Sequence, residues 1–458
     1  MSTYEELREK YPVFRYLSHT VTETETTLDI EYHFEIEGLT AFSPRWSFPK
    51  CKEFPTTVAK NATLEAMVFG LGMVELISYW KLTCSPRVEI YAGELTADQI
   101  MWFKRLYFHG LGEFFYCNAI PLDPISFMEL VSCGKAKKGY KPMKKQVCGH
   151  LIPVGGGKDS VLTMELLNER MDLNYCYIIN PREATIRTAE IAGFTQERML
   201  SPKRTLDPEM LRLNKEGFLN GHTPFSAIVA FSALITAYMY RLEYIVLSNE
   251  SSANESTVEG STVNHQYSKS LAFERDFQAY QETYIDAGIT YFSLLRPLSE
   301  YQIAAFFAGM VSYHDAFRSC NAGSKQDAWC GKCPKCMFVF LILSPFLSHD
   351  YLCEIFGRDL MEDDEMLPIF QQLVGILPEK PFECVGSRDE ANAAATGAII
   401  SMELDEEPLP KMLRYYKETA LYAKYRKEDK NYLGYYDHDH LLPPYYERLL
   451  KRRCLGGR

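Results

Sequence analysis

What the chain has little of already narrows its class. It has no excess of positive charge: 49 Lys and Arg stand against 60 Asp and Glu, a formal net charge of −11 over 458 residues. An acidic surface repels polyphosphate chains, so a nucleic-acid coat protein is not expected. A small anionic substrate stays open wherever a local basic pocket forms. No apolar run approaches the ~18 uninterrupted residues of a membrane span. The stretch from Met67 to Trp80 comes nearest and carries Glu75. The opening MSTYEELREKYP has neither the basic region nor the apolar segment of a secretory signal. No internal repeat or low-complexity tract stands out. These absences point to a globular, cytoplasmic protein without a membrane or nucleic-acid partner. Cysteine, by contrast, is plentiful. Thirteen of them, without a signal, read as reduced thiols together with a metal site.

At 47% hydrophobic residues the chain can bury an ample core, and its length suggests two to four domains. In residues 1–145, Leu28, Ile30, Tyr32, Phe34 and Ile36 alternate with polar neighbours, the period of a half-buried strand. Residues 62–81 read as a mostly buried helix, Val88 to Tyr91 as a short strand, and Thr96 as the cap of an amphipathic helix. This is the pattern of a small α+β domain. Gly134 to Lys145 is Lys- and Gly-rich and reads as a solvated linker. From 146 to 345 the rhythm changes. Strands at HLIPV, NYCYIIN, YIVLS and TYFSLL alternate with helices, one of which has a capping box at Ser299 and Gln302. That alternation predicts an α/β parallel sheet with helices on both faces. Residues 346–458 read as a helical region, with a second capping box at Ser387 and Glu390.

The motif that carries chemistry is Pro153-Val154-Gly155-Gly156-Gly157-Lys158-Asp159-Ser160, between the first strand of the α/β region and its first helix. Glycines allow a tight turn and let backbone N–H groups approach an anion closely. The helix N-terminus adds positive potential. Lys158 adds a charge, Ser160 a hydroxyl, and Asp159 a carboxylate able to hold Mg²⁺. A Walker A loop needs Ser or Thr after its lysine, and a dinucleotide fingerprint needs a further glycine; neither condition is met. The string resembles the SGGxDS loop of the PP-loop ATP pyrophosphatases, with Gly155 at the usual first serine. That resemblance implies an ATP substrate cleaved between the α and β phosphates, with Asn180 beside the adenosine. Asn249 and Glu250, just past the fourth strand, are placed at the carboxyl edge of the sheet, where open α/β sheets bind ligands. The long polar loop that follows carries Asn254, Glu255, Asn264, His265, Tyr267 and Lys269, a dense set of donors and bases.

Cys320, Cys330, Cys333 and Cys336 form a second constellation. Their spacing suits a tetrahedral structural Zn²⁺, with Lys332 and Lys335 offsetting thiolate charge. The bland alternative is four reduced thiols at the entrance to an apolar helix.

The combination PVGGGKDS, LSNESSANES, VNHQYSKS, WCGKCPKCMFVFLILSPF and KPFECVG resembles the UDP-N-acetylmuramoyl-L-alanyl-L-glutamate epimerase family of peptidoglycan synthesis. The resemblance implies adenylation of the terminal L-Glu carboxylate of UDP-MurNAc-L-Ala-L-Glu, loss of its Cα proton, and reprotonation to D-Glu. Lys158, Asp159, His265, Tyr267 and Lys269 are the candidate catalytic residues, with His222 a weaker one and Arg45 a candidate for the substrate's anionic groups. The nucleotide would lie against Gly155, Gly156, Gly157, Lys158, Ser160, Asn180, Asn249 and Glu250. The alternative is another PP-loop enzyme that adenylates a small carboxylate for amide, nitrile or thio-transfer chemistry.

Overall fold

The structure, a computed structural model, describes residues 4–54, 60–120, 123–135, 148–255, 264–323, 325–428 and 430–456. Most of the expected linker, from 136 onward, lies outside these residues. So do 256–263 of the long polar loop.

Twelve strands form two sheets. The first holds β1 (Val13–Glu23), β2 (Thr27–Ile36), β3 (Thr40–Phe42), β4 (Arg45–Pro49), β5 (Arg87–Ile90) and β6 (Glu129–Ser132). The second holds β7 (His150–Pro153), β8 (Asn174–Tyr177), β9 (Met199–Leu200), β11 (Tyr244–Leu247) and β12 (Thr290–Ser293). The remaining strand, β10 (Lys203–Thr205), follows β9 in the chain yet crosses to the first sheet and pairs antiparallel with β4. The first sheet therefore runs β10-β4-β2-β1-β5-β6, with β3 also on β2. Every second residue of β2 is buried, as its period-two pattern requires.

The second sheet runs β12-β11-β7-β8-β9 and all its pairings are parallel. Alternate residues feed two cores. Leu151, Ile245 and Tyr291 face the core shared with the helix Phe225–Met239, while Ile152, Val246 and Phe292 face the core shared with the helices Lys158–Leu166 and Pro334–Leu343. Burial on both faces is the usual condition of a parallel sheet. The molecule is thus mixed α/β with a helical C-terminal region.

The first core does not stop at residue 145. It runs from Leu7 to Tyr291, and the helix Ala62–Glu75 lies against Phe225–Met239. The approach is close because residue 70 is glycine: a Cβ there would stand 2.7 Å from the Phe231 ring. By length and composition Ala62–Trp80 could cross a membrane, but 83% of its most apolar window is buried inside the fold. It is a core helix. Glu75 sits on it, fully buried, and its carboxylate takes hydrogen bonds from Arg204 on β10 at 2.6–3.1 Å. A buried charge needs such a partner, so this pair fixes where β10 joins the first sheet.

Candidate functional site

The chain leaves β7, makes the glycine turn and enters the helix Lys158–Leu166. Only Gly156 takes a positive φ, +79°, and a Cβ there would stand 3.1 Å from the backbone of Ala184 and Thr185. At Gly155 a Cβ would meet nothing within 4 Å. The departure from the serine of the SGGxDS pattern is therefore sterically neutral. No side chain caps the helix at Gly157, so its first-turn N–H groups have no side-chain acceptor at the cap.

This turn opens onto a cavity of about 880 Å³. Three regions of the chain build its wall. The parallel sheet contributes Gly155, Gly157, Lys158, Asp159, Ser160, Asn180 and Asn249. The helices Gly112–Cys117 and Phe225–Met239 contribute Glu113 and Phe225, and the loop before the second of them contributes His222. The C-terminal helical region contributes Phe382, Glu383 and Cys384 on the loop before the helix Arg388–Leu404. His265 and Lys269 complete one side, and Lys335 and Phe338 the other. Long-range folding is what assembles this site, since Glu113 and Cys384 lie far apart in sequence.

Most of the residues singled out in the sequence meet here. Asn180 has a left-handed φ of +49°, and its side chain bonds both backbone groups of Arg204 at 2.9 Å. Asn249 donates to the Ser293 hydroxyl at 3.0 Å. Ser160 donates back to the Gly157 carbonyl at 3.0 Å. Others stand elsewhere. Gly156 is turned from the cavity, its carbonyl accepting from Arg318 N–H at 2.8 Å. Glu250 is buried beneath the floor, its carbonyl bound by Arg296 at 2.6 Å. Tyr267 lies outside the wall, packed on His109 at 5.0 Å between ring centres, and burial pushes its hydroxyl up to about 12. Arg45 is exposed on β4 and paired with Glu31, away from the cavity.

Lys158 does not project as a free charge. Its ammonium is buried, held by Asp159 at 2.6 Å and by Glu300. Burial drives the Glu300 carboxyl well above the usual range; Lys158 opposes the rise, and the nearby Asp159, Glu250 and Glu390 add to it. Sequence reasoning missed Glu300, although the capping box at Ser299 places it at the first helical position. The Glu300 N–H is in turn bound by Glu390, itself locked in the capping box at Ser387.

Facing the glycine turn is a second charged cluster. Glu113 sits between two imidazoles, pairing with His265 and standing 3.5 Å from His222. The two rings are 4.3 Å apart. Burial pushes His222 down to about 3, with the charges of His265, Lys81 and Lys269 acting in the same direction. Burial alone would also lower His265, but its hydrogen bonds to Cys384 and Glu113 outweigh that and raise it to about 9. For Cys384, burial would raise the thiol; the Lys269 charge and the His265 hydrogen bond, helped by Lys335, bring it down to about 6. KPFECVG was legible as a motif, but nothing in the sequence shows that its cysteine meets His265 and Lys269.

The four cysteines converge behind this wall. Cys320 and Cys333 sulfurs are 3.7 Å apart, Cys330 and Cys336 3.7 Å, and Cys333 and Cys336 3.5 Å. All four lie within 4.8 Å of one another. A tetrahedron of ~2.3 Å Zn–S bonds has edges of about 3.8 Å, so the donor set fits zinc.

A glycine turn after a parallel strand, opening on a cavity lined by charged side chains of both signs, is the kind of place in which α/β enzymes hold their ligands. The family model described as the MurL N-terminal domain matches residues 5–294, and that of the MurL C-terminal domain matches residues 311–425. A protein of a Micromonospora species named UDP-N-acetyl-alpha-D-muramoyl-L-alanyl-L-glutamate epimerase is 35% identical over 353 residues, covering 74% of this chain and 76% of its own. A relative of the same name from Salinispora tropica is 35% identical, covering 74% of each chain. Another, from Xanthomonas oryzae pv. oryzae, is 34% identical, covering 74% of this chain and 76% of its own. No solved structure matches. The chain belongs to the MurL family and is an isomerase-type enzyme, an epimerase.

Proposed function

We propose that the chain converts the terminal L-Glu of UDP-MurNAc-L-Ala-L-Glu to D-Glu in peptidoglycan precursor synthesis, using ATP to adenylate the glutamate α-carboxylate on a PP-loop ATP pyrophosphatase core. The observation that carries this is the position of the glycine turn: in an epimerase family, a phosphate-type cradle opens on the same cavity as a cluster of acid–base side chains. The relatives' names supply the substrate.

The chemistry explains why ATP is spent on an epimerisation. An ionised carboxylate makes the neighbouring Cα–H very weakly acidic, because deprotonation places charge beside charge. Adenylation neutralises the carboxylate as a mixed anhydride. The proton then comes within reach of an ordinary side-chain base, and cationic donors can hold the enolate. Return of a proton on the other face gives D-Glu, and hydrolysis releases AMP after pyrophosphate has left.

The first-turn N–H groups at 157–160 and Ser160 hold the phosphates, while Asn180 and Asn249 border the adenosine side. Asp159 is the residue that would hold Mg²⁺, which supplies charge neutralisation on the leaving pyrophosphate. Cys320, Cys330, Cys333 and Cys336 would hold a structural Zn²⁺ that pins the segment carrying Lys335 to the wall. ATP and a UDP-linked precursor make the cytoplasm the place of action.

The test is direct. Purified protein is incubated with ATP, Mg²⁺ and UDP-MurNAc-L-Ala-L-Glu, and the product is hydrolysed and resolved on a chiral column. D-Glu, AMP and pyrophosphate should appear together. AMP formed from another carboxylate, with no D-Glu, would move the chain to a different adenylating chemistry.

A further inference from the structure

The cavity has a thiol that the proposed reaction leaves without a task. We propose that Cys384, held between Lys269 and His265 on the wall facing the glycine turn, is the base that removes the glutamate Cα proton. This rests on the epimerase reading and assigns the group that reading lacks.

The placement of Cys384 is built, not incidental. Its loop is tied down along its length. Lys380 pairs with Glu255, Phe382 packs on Tyr116 at 5.3 Å between ring centres, and Lys335 reaches Glu383 at 3.6 Å. The Val385 carbonyl accepts from Gln266 at 3.4 Å, and Ser387 caps the next helix. Gly386 allows the loop to press on Phe338, where a Cβ would stand 2.7 Å from the ring. The loop is thereby held at both ends over the cavity, and the cysteine between them stays partly exposed to it.

Its partners suit a thiolate. Lys269 and His265 are both within hydrogen-bonding reach, and His265 is braced from behind by Glu113. Two cations beside one sulfur favour its ionised form, and only that form is a base. A site tuned to hold such a charge in a pocket marks a functional position. His265 and Lys269, candidates for the base in the sequence, become positioning residues that hold the thiolate. Their own basicity is spent, because each is kept protonated beside the sulfur.

The step balances without an oxidant or a reductant. The Cα–H bond of the adenylated glutamate breaks and an S–H bond forms at Cys384. The electron pair left on Cα spreads into the neutralised carboxyl group. Cα takes a proton from solvent or a cationic wall residue on its other face. The S–H proton passes to solvent, restoring the thiolate.

Two partial reactions separate this role from the rest. Exchange of labelled pyrophosphate into ATP, with the UDP-linked dipeptide present, reads adenylation. Uptake of deuterium at Cα in D₂O reads proton removal. Cys384→Ala and Cys384→Ser should keep pyrophosphate exchange within a few-fold of the unmodified enzyme. Both should lose Cα exchange and D-Glu formation by more than a hundred-fold. Should the alanine variant not fold, the serine variant changes one atom and carries the test. Wild-type Cα exchange in a folded Cys384→Ser would overturn the proposal. So would loss of pyrophosphate exchange together with Cα exchange, which would put the thiol in substrate binding. If the unmodified enzyme shows neither reaction, the epimerase reading itself fails.

Discussion

At the scale of the residue, the site is governed by which charges are already paired. Lys158 read in the sequence as a free cation for phosphate. In the fold it lies between Asp159 and Glu300, so a phosphate arriving at the turn competes with these carboxylates for the lysine, and Mg²⁺ competes with the lysine for Asp159. Cys384 is the reverse case, an unremarked residue given chemistry by its neighbours. Lys269, His265 and Lys335 face it from other elements, with Glu383 beside it in the chain and Glu113 behind His265. With the thiol brought down to about 6, falling pH protonates it only below that point. At pH 7 it should be about nine-tenths ionised, where an ordinary thiol is ionised to a few per cent. Alkylation by iodoacetamide, mapped by peptide mass spectrometry, should therefore reach half its limiting rate near pH 6 at Cys384. At the exposed Cys117, whose thiol is pushed up by burial and by Glu113, the rate should still be climbing above pH 8. A Cys384 profile that climbs with that of Cys117 would show a thiol with no cationic support.

At the scale of the element, local signals were read well and pairing signals were not. The period-two pattern of β2, the cap at Thr96, the capping boxes at Ser299 and Ser387, and the strand before the glycine turn all stand where the sequence put them. Each depends on residues a few positions apart. β10 was invisible because three residues with burial on neither face carry no period, and its partner is set by the buried Arg204–Glu75 pair. The glycine turn shows the same division. Three glycines looked equivalent in sequence, but Gly156 alone of the three has a positive φ, Gly157 is close-packed on Ser319 at 3.3 Å from an added Cβ, and Gly155 faces open space. Gly156→Ala should cost about 1–2 kcal/mol from the left-handed backbone alone. It should also reduce ATP-dependent turnover by ten-fold or more, as the turn shifts off Ala184 and Thr185. Gly155→Ser should melt within a degree or two of the parent and keep turnover within a few-fold. Thermal melts and the AMP assay on the two variants check this; equal damage at both positions would mean that the turn is shaped by something other than the φ of residue 156.

At the scale of the whole molecule, the cavity exists only because three regions close on it, and the helical region is the one the sequence left without a task. That region carries Cys384, and the helix that leads into it, Pro334–Leu343, starts within the cysteine cluster. The four sulfurs and the cavity wall are therefore parts of one construction: Cys336 is buried at the root of that helix, while Lys335, one residue earlier, faces the cavity and pairs with Glu383 beside Cys384. Zinc bound by the four thiolates would hold this junction, and its loss would be felt both at Cys384, through Lys335 and Glu383, and at the glycine turn, through Arg318 and Gly156. Protein purified without chelators should contain close to one zinc per chain. Removing it should lower the melting temperature by several degrees, because structural zinc binding contributes directly to folding free energy. It should also diminish both Cα deuterium exchange and pyrophosphate exchange, since Lys335, beside Cys336, pairs with Glu383 next to Cys384, and Arg318, two residues before Cys320, holds the Gly156 carbonyl. Readdition of zinc should restore both. A lower melting temperature with both partial reactions intact would mean that the cluster supports the fold as a whole and has no particular hold on the cavity.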